Sequence, residues 1–289
     1  MLHHSVDREP DETSGKDLPV PLTRGQRAAV EIGRGAQGVV YRLPSGHIKK
    51  KYFDTVSDQV VEREFEHSAI AFAGGVPTWR VEQWLRDERT IIGSFQPGVR
   101  LARVIRRRPL KAASLMRALG KLHAQIHAIH TPTQRSWHIY AAARSGRILE
   151  PYLPEETVGT VRNLVSASED GFCHADLSLT NVLYDKGELT LLDWARSGHG
   201  PMTADVGRTC AFILARPPRP KLLTPVNRWF VRKLAQSYVA AYVEQTGRSP
   251  DQIWAWTAIF LARKLTGPGA PRDIDMIRRE IVRLCRNLR

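Results

Sequence analysis

The sequence predicts an α+β fold of two lobes, a small β-rich lobe followed by a larger α-rich lobe. Short runs rich in β-branched and aromatic residues, separated by turn residues, occupy 29–53 and 79–95 and indicate antiparallel strands. At Pro97-Gly98 the sequence pattern changes from strand-like to helix-like. The long stretches that follow have apolar stripes and no internal proline, which indicates helices. We therefore place the lobes at 23–96 and 97–289.

The elements follow from local patterns along the chain. A helix is predicted over 58–73, where a Gly74-Gly75 pair supplies the stop signal. Two further strands are predicted over 79–84 and 90–95. In the second lobe the apolar stripes predict helices over 112–129, 226–245 and 252–265, and a strand-like apolar run occupies 189–192.

Composition and charge exclude several classes of protein. The chain has 289 residues, of which 42% are hydrophobic and 25% charged, as in ordinary globular domains. No apolar stretch approaches the ~20 residues that a membrane-spanning helix needs, and the N-terminus lacks the pattern of a secretory signal, so we expect a cytoplasmic protein. Residues 1–22 are polar and predict a flexible leader. Three widely spaced cysteines, at 173, 210 and 285, predict neither a disulfide framework nor a metal site.

The net charge of +14 predicts attraction to anions but does not identify them. The basic residues are scattered, apart from two clusters at 49–51 and 106–108, and no nucleic-acid-binding motif accompanies them. Nucleic acid is therefore an unfavoured partner.

A glycine-rich segment in the first lobe matches the pattern Gly-x-Gly-x-x-Gly-x-Val of a loop that covers the phosphates of ATP. The glycines are Gly33, Gly35 and Gly38. A dinucleotide-binding turn shares three such glycines, but it requires a helix directly after the last one, whereas Val39, Val40 and Tyr41 are strand-like. A glycine-rich hairpin without a ligand is the alternative that this motif alone leaves open.

A lysine on the strand after this hairpin is expected to hold the α- and β-phosphates, positioned by a glutamate from the following helix. Our choice for the lysine is Lys50, and Lys49 stays open because a shift of one residue along the strand exchanges the two. For the glutamate we choose Glu64, with Glu62 and Glu66 as surface-charge alternatives.

The strongest motif is His-x-Asp-Leu-x-x-x-Asn, which begins at His174. In a phosphoryl-transfer site the aspartate accepts or orients the attacking hydroxyl, and the asparagine five residues later binds Mg²⁺. These roles are predicted for Asp176 and Asn181. We interpret His174 as a partly buried structural histidine that ties the loop to neighbouring backbone.

A second metal ligand is predicted twelve residues after Asn181. The strand-like run 189–192 ends at Asp193, and a hard cation that bridges phosphates takes oxygen ligands of this kind. Without Asp176 and Asn181, a turn aspartate after a buried strand would be the better interpretation of Asp193, so its assignment depends on the motif before it.

The glycine loop, the lysine, the helix glutamate, the His-x-Asp motif and Asp193-Trp194, in this order, resemble the aminoglycoside phosphotransferase family and choline kinase-type enzymes, which have a protein-kinase-like fold. The resemblance covers about 30–242. Additional similarities are Gly75-Val76-Pro77, the run from Leu122 to His127, Gly200-Pro201, and Asp205-Val206-Gly207-Arg208.

The resemblance implies direct transfer of a phosphoryl group from ATP, less often GTP, to a small-molecule hydroxyl, with Mg²⁺ as cofactor. It also implies that Asp205 is structural and supports the loop. The chain departs from the family at Ala175, where glycine is common. A protein-directed kinase is disfavoured, because only eleven residues separate Asp193 from Asp205 and no Ala-Pro-Glu motif follows.

The charge of the C-terminal region is the one sequence feature that predicts the class of acceptor. Residues 226–289 contain 12 Lys and Arg against five Asp and Glu, which disfavours a polycationic aminoglycoside and favours an uncharged or anionic hydroxylated metabolite or antibiotic. The alternative function is a catalytically inactive, nucleotide-binding regulator with affinity for nucleic acid or another anionic partner.

Overall fold

The computed structural model describes residues 29–131, 143–215, 224–266 and 273–288. The leader predicted over 1–22 lies outside the described residues. The division of the chain into lobes after residue 96 stays a prediction. Within the described parts, no helix has the length and apolar character needed to cross a membrane.

The first part of the chain forms a five-stranded antiparallel sheet that is crossed by one helix. Its strands are β1 (Val30–Arg34), β2 (Gly38–Arg42), β3 (His47–Tyr52), β4 (Val81–Leu85) and β5 (Thr90–Ser94), in the spatial order β1-β2-β3-β5-β4. Helix α1 (Asp58–Ala73) connects β3 to β4. Four buried residues form a small separate core between helix and sheet: Tyr52, Val61, Trp79 and Ile91.

The second part is mostly helical. Its described helices are α2 (Leu101–Arg107), α3 (Ala112–His127), α4 (Glu155–Ser166), α5 (Met202–Leu214), α6 (Thr224–Thr246), α7 (Pro250–Thr266) and α8 (Ile274–Cys285), with 3₁₀ turns at Pro109–Lys111 and Arg147–Leu149. The strands β6 (Val99–Arg100), β8 (Val182–Asp185) and β9 (Glu188–Leu191) form one small sheet, and β7 (Asp170–Cys173) pairs with β10 (Gly198–Pro201). The α+β prediction is confirmed.

Two glycines allow the helices of the second part to pack closely. A Cβ at Gly120 of α3 would lie 2.3 Å from the carbonyl oxygen of Tyr238 in α6. A Cβ at Gly207 of α5 would lie 2.7 Å from the Cβ of Trp256 in α7. Distances below 3.0 Å are steric clashes, so any larger residue would separate these helices. Both contacts matter for the site, because α3 and α5 carry the residues that hold its central loop.

The three predicted helices of the second lobe are confirmed with their ends shifted by two residues or fewer. The sequence patterns did not predict α4, α5 and α8, nor the pair β7 and β10. Helix α5 is buried at almost every position, which removes the polar face that makes a surface helix recognisable. Strands β7 and β10 have four residues each, which is too few to show a clear alternation of buried and exposed positions.

Candidate active site

The loop of the His-x-Asp motif connects β7 to β8, and a buried carboxylate fixes its backbone. The two oxygens of Asp205, at the start of α5, accept hydrogen bonds from the backbone N–H groups of His174 (2.7 Å) and Ala175 (2.9 Å). Ala175 has a φ of 64°, in the left-handed region. Because a residue other than glycine rarely adopts this conformation, the two hydrogen bonds supply the support that the turn needs.

Two histidines of α3 donate to the same carboxylate. His123 Nε2 and His127 Nε2 lie 3.1 Å and 3.4 Å from Asp205 Oδ2. The hydroxyl groups of Tyr238 and Tyr242, on α6, contact the Nδ1 atoms of His123 and His127, the second at 2.8 Å. Since an ionised carboxylate only accepts hydrogen bonds, each histidine carries a proton on Nε2.

Burial and the neighbouring histidine set the charges of this network. Burial in the core, with a contribution from the positive potential of His123, lowers the pKa of His127 to about 4, so its imidazole is neutral at pH 7. Burial alone would raise the pKa of Asp205, but the electrostatic attraction of His123 and the hydrogen bonds from both histidines outweigh burial and lower it. Among the described residues, His123, His127 and Asp205 are the one group of His, Cys, Asp or Glu side chains that lie close enough together to hold a metal ion. They satisfy one another's hydrogen bonds, so we interpret them as a structural support for the loop.

His174 ties the loop to the neighbouring strand end. Its Nε2 donates to the carbonyl of Leu192 at 3.1 Å, and its Nδ1 accepts from the backbone N–H of Asp176 at 3.3 Å. Burial lowers the pKa of His174, which keeps the imidazole neutral as this pair of bonds requires. We predicted a partly buried side chain, and the structure buries it completely.

Asp176 presents its carboxylate next to two arginines. Arg208 Nη2 donates to Asp176 Oδ1 at 3.1 Å, and Arg196 Nε lies 3.7 Å from Oδ2. The Asp176 side chain keeps 24% of its surface exposed, so a small molecule can reach it. The sequence analysis assigned no role to either arginine. The position of Arg208, one helical turn after Asp205, was the available signal, because it places the two side chains on one face of α5.

Asn181 and Asp193 lie beside Asp176 in one cavity of about 350 Å³, which Ser178, Leu179, Thr180 and Phe212 complete. Asn181 Nδ2 donates to the backbone carbonyl of Asp176 at 3.0 Å, which leaves the amide oxygen as the atom that can bind a cation. Asp193 has a φ of 70° directly after β9 and keeps 36% of its side chain exposed. One carboxylate and one amide oxygen facing a water-accessible cavity match the donor set of Mg²⁺.

Lys50 contacts Glu64 as predicted, and it also reaches Asp193. Lys50 Nζ lies 2.7 Å and 2.6 Å from the two oxygens of Glu64 and 3.6 Å from Asp193 Oδ1. Burial alone would lower the pKa of Lys50, but the carboxylates of Glu64 and Asp193 outweigh burial and raise it, so the ammonium stays charged. The hydroxyl of Tyr52 donates to Glu64 Oε2 at 2.6 Å, a contact that the sequence analysis missed.

The alternative lysine and the two alternative glutamates do not form this ion pair. Lys49 Nζ lies 5.3 Å from the centre of the Tyr41 ring, on the other face of β3. Glu62 pairs with Arg86 at 3.6 Å, and Glu66 is exposed.

The glycine-rich loop joins β1 to β2 and is closed by a hydrogen bond from Gly35 N–H to the carbonyl of Gly38 at 2.9 Å. A Cβ at Gly38 would lie 2.2 Å from the carbonyl oxygen of Lys51, so the pairing of β2 with β3 requires glycine there. At Gly33 and Gly35 a Cβ would meet no atom within 4 Å. Packing does not require these two glycines, and the space beside them is open for a ligand.

This architecture, a five-stranded sheet and helix followed by a helical part that carries a His-x-Asp loop, defines the class of proteins with a protein-kinase-like fold. The family model of the phosphotransferase enzyme family matches residues 30–248, and the chain belongs to that family. A comparison with curated protein sequences finds no match.

Solved structures share the fold at low sequence identity. A choline/ethanolamine kinase family protein from Mesorhizobium loti is 16% identical, with a TM-score of 0.58 over 91% of this chain and 88% of that one. An aminoglycoside-3'-phosphotransferase of type VIII is 20% identical, with a TM-score of 0.54 over 80% and 92%. Amicoumacin kinase, in complex with AMP-PNP and Ca²⁺, is 14% identical, with a TM-score of 0.52 over 88% and 87%.

Proposed function

We propose that the protein is a small-molecule kinase that transfers the γ-phosphoryl group of ATP to a hydroxyl group. The observation that carries the proposal is the convergence of three predicted residues, Asp176, Asn181 and Asp193, on one cavity, with the ammonium of Lys50 at its edge 3.6 Å from Asp193. GTP is the alternative donor. Membership of the phosphotransferase family and the AMP-PNP and Ca²⁺ bound to amicoumacin kinase support the use of a nucleotide and a divalent cation.

Each group has a role that its contacts support. Lys50, held by Glu64 and Tyr52, binds the nonreacting phosphates, and the open space at Gly33 and Gly35 admits them beneath the loop. Asn181 and Asp193 would hold Mg²⁺, which neutralises the negative charge that develops on the phosphate oxygens. Positioning and electrostatic stabilisation account for most of the catalysis in phosphoryl transfer. Lys50, the glycine-rich loop, Asn181 and Asp193 would provide both.

Asp176 is the base of the proposed reaction. The acceptor hydroxyl oxygen forms a bond to the γ-phosphorus while the bond from that phosphorus to the β,γ-bridging oxygen breaks. The hydroxyl proton passes to the Asp176 carboxylate, and ADP leaves with the bond's electron pair on its β-phosphate. The bond from Asn181 Nδ2 to the Asp176 carbonyl and the Asp205 bonds to the preceding residues keep this carboxylate in place.

The segment after Asp193 supports a small-molecule acceptor. Between Asp193 and Asp205 the chain forms one turn and strand β10 and then enters α5. It therefore leaves no room for the long loop with which protein-directed kinases bind a peptide. The same connection leads into α5, which brings Arg208 to Asp176 and Phe212 to the cavity.

The test is magnesium-dependent ATP consumption in the presence of a panel of hydroxylated antibiotics, sugar alcohols and sugar acids. We expect consumption to require an acceptor and to fall at least about 100-fold in Asp176→Asn, because general base catalysis contributes about 10²–10⁴-fold. Glu188→Gln, which removes an exposed carboxylate of β9 away from the cavity, is the matched control and should keep the wild-type rate. Equal rates for Asp176→Asn and wild type would refute the assignment of the base.

A further inference from the structure

Beside the cavity, an aromatic ring of α5 contacts two cations, one from α5 and one from α7. Phe212 lines the cavity itself. The guanidinium carbon of Arg208 lies 5.0 Å from the centre of its ring, and the ammonium of Lys264 lies 4.4 Å from it. Both cations therefore contact one ring, which lines the same cavity as Asp176.

The charged side chains around Asp176 and Phe212 have an excess of positive charge. Arg208, Arg196 and Lys264 bring three positive charges, and Asp176 is the carboxylate that contacts the two arginines, so the group has a net charge of +2 (3 − 1). Across the described ranges, no carboxylate lies within 4 Å of the Lys264 ammonium. Like charges at close range in a partly buried site repel, and an anion placed between them removes that repulsion.

The pKa of Lys264 agrees with this geometry. Burial lowers it, and the positive charge of Arg208 lowers it further, while Asp176 opposes both effects. A bound anion would add a second opposing charge and hold Lys264 in its protonated form.

We propose that the acceptor is a hydroxylated anion, whose carboxylate or phosphate group is bound by Lys264 and Arg208 beside Phe212. The inference rests on the proposed function and specifies its substrate class. Arg208 presents a planar set of N–H donors that suits both oxyanions, and Lys264 contributes a point charge. The ring of Phe212 supports the carbon skeleton that joins the anionic group to the reacting hydroxyl.

The same arrangement relates recognition to the proposed base. Arg208 donates to Asp176 Oδ1 at 3.1 Å before any acceptor is bound. An anionic acceptor competes for that guanidinium and draws it away from Oδ1, which leaves this oxygen to accept the hydroxyl proton. An acceptor with an amine in place of the acid would meet repulsion from both cations and leave the Arg208 bond to Asp176 intact.

The test compares four compounds that share the carbon skeleton of D-glucitol. They are D-glucitol itself, D-gluconate with a carboxylate at C1, D-glucitol 6-phosphate, and 1-amino-1-deoxy-D-glucitol with an amine at C1. Binding is measured by calorimetry at constant ionic strength, with the nucleotide site saturated by Mg²⁺ and AMP-PNP. We expect at least one of the two anions to bind, the neutral compound to bind about tenfold more weakly, and the amine to bind most weakly, since one charge-assisted hydrogen bond corresponds to about a factor of ten. The carboxylate and phosphate compounds show which oxyanion is preferred.

Two neighbouring substitutions on α7 localise the effect. Lys264→Gln should weaken binding of the anion about tenfold, whereas Arg263→Gln, which removes an exposed charge at the adjacent position, should leave it unchanged. Arg208→Gln is a second variant, used if its thermal unfolding shows that it folds.

Three outcomes would overturn the inference: binding of the neutral or amino compound as tight as that of the anions, anion binding unaffected by Lys264→Gln, or no anion bound beside the nucleotide. Failure of Mg²⁺ and AMP-PNP to bind is a separate result that contradicts the proposed function itself.

Discussion

At the scale of single residues, the glycine-rich loop combines two different requirements for glycine. Gly38 is required by the fold, since a Cβ there would lie 2.2 Å from the carbonyl of Lys51, whereas Gly35 has open space around its Cβ position. The sequence motif contains both glycines and cannot distinguish them. The structure therefore predicts different effects for the same substitution at positions three residues apart.

Gly38→Ala should lower the free energy of unfolding by about 1–3 kcal/mol, because β2 and β3 must separate to admit the methyl group. Gly35→Ala should leave thermal stability unchanged and weaken ATP binding by about tenfold, or about 1.4 kcal/mol, because its methyl group occupies the open space under the loop. Thermal unfolding and nucleotide calorimetry on both variants check the pair. Unchanged ATP affinity in Gly35→Ala would contradict our placement of the phosphates.

The backbone conformation of Ala175 predicts that a glycine at this position would stabilise the protein. Its φ of 64° disfavours any residue with a Cβ, and glycine adopts this conformation without strain. Ala175→Gly should therefore raise the free energy of unfolding by up to about 1 kcal/mol, partly offset by the greater entropy of glycine in the unfolded chain. Chemical denaturation measures this difference. A loss above about 1 kcal/mol would show that the methyl group contributes packing that outweighs the backbone strain.

At the residue scale, the sequence favoured Lys50 but left Lys49 open, because a shift of one residue along the strand exchanges the two. In the structure the ammonium of Lys50 contacts Glu64. Tyr52, two residues after Lys50, and Arg208, one helical turn after Asp205, were missed. Their positions were visible in the sequence, but nothing in it shows that they contact Glu64 and Asp176. Such contacts depend on tertiary packing.

At the scale of elements, helices α3, α5 and α6 form one support for the loop through a network in which two histidines of α3 donate to Asp205. The run from Leu122 to His127 was noticed in the sequence, but its partners were not predictable because they lie 78 to 115 residues away. Likewise α5 was not predicted as a helix, since it is buried on nearly all sides. The elements that hold the site are thus the ones that the sequence describes least well.

The pKa of His127 predicts a dependence of stability on pH. In the unfolded chain this histidine titrates near 6.5, and in the folded protein burial lowers its pKa to about 4. Between these values the unfolded state binds more protons, so the free energy of unfolding falls as pH decreases from about 6.5 to about 4, by up to about 3 kcal/mol from this residue.

The measurement is chemical denaturation at several pH values for the wild type and His127→Gln. The variant should be less stable at pH 7 and should lose less stability on acidification through this window. A parallel decrease in both proteins would assign the pH dependence to other groups.

At the scale of the whole molecule, the sequence predicted the fold class well because the change from strands to helices after Pro97-Gly98 is visible in its periodicity. The order of the motifs along the chain assigned the glycine-rich loop, Lys50 and Glu64 to the first region, and Asp176, Asn181 and Asp193 to the second. The meaning of the +14 charge was not predictable in the same way, because net charge carries no information on which cations share a cavity. The structure brings Arg196 and Arg208 to Asp176, and Lys264 to the neighbouring ring of Phe212.

The alternative of an inactive regulator that binds nucleic acid remains testable at this scale. It predicts binding to nucleic acid that weakens steeply with salt. Absence of binding at low salt would remove this alternative. Such binding alone would not separate the two functions, so the deciding measurement concerns phosphoryl transfer.

That measurement follows the γ-phosphoryl group of ¹⁸O-labelled ATP by mass spectrometry, in the presence of Mg²⁺ and the acceptor panel, for the wild type and Asp176→Asn. We predict a phosphorylated alcohol that carries the label, formed at least about 100-fold more slowly by Asp176→Asn. Bound nucleotide with no labelled alcohol from any acceptor, or equal product from both proteins, would contradict a kinase that uses Asp176 as its base.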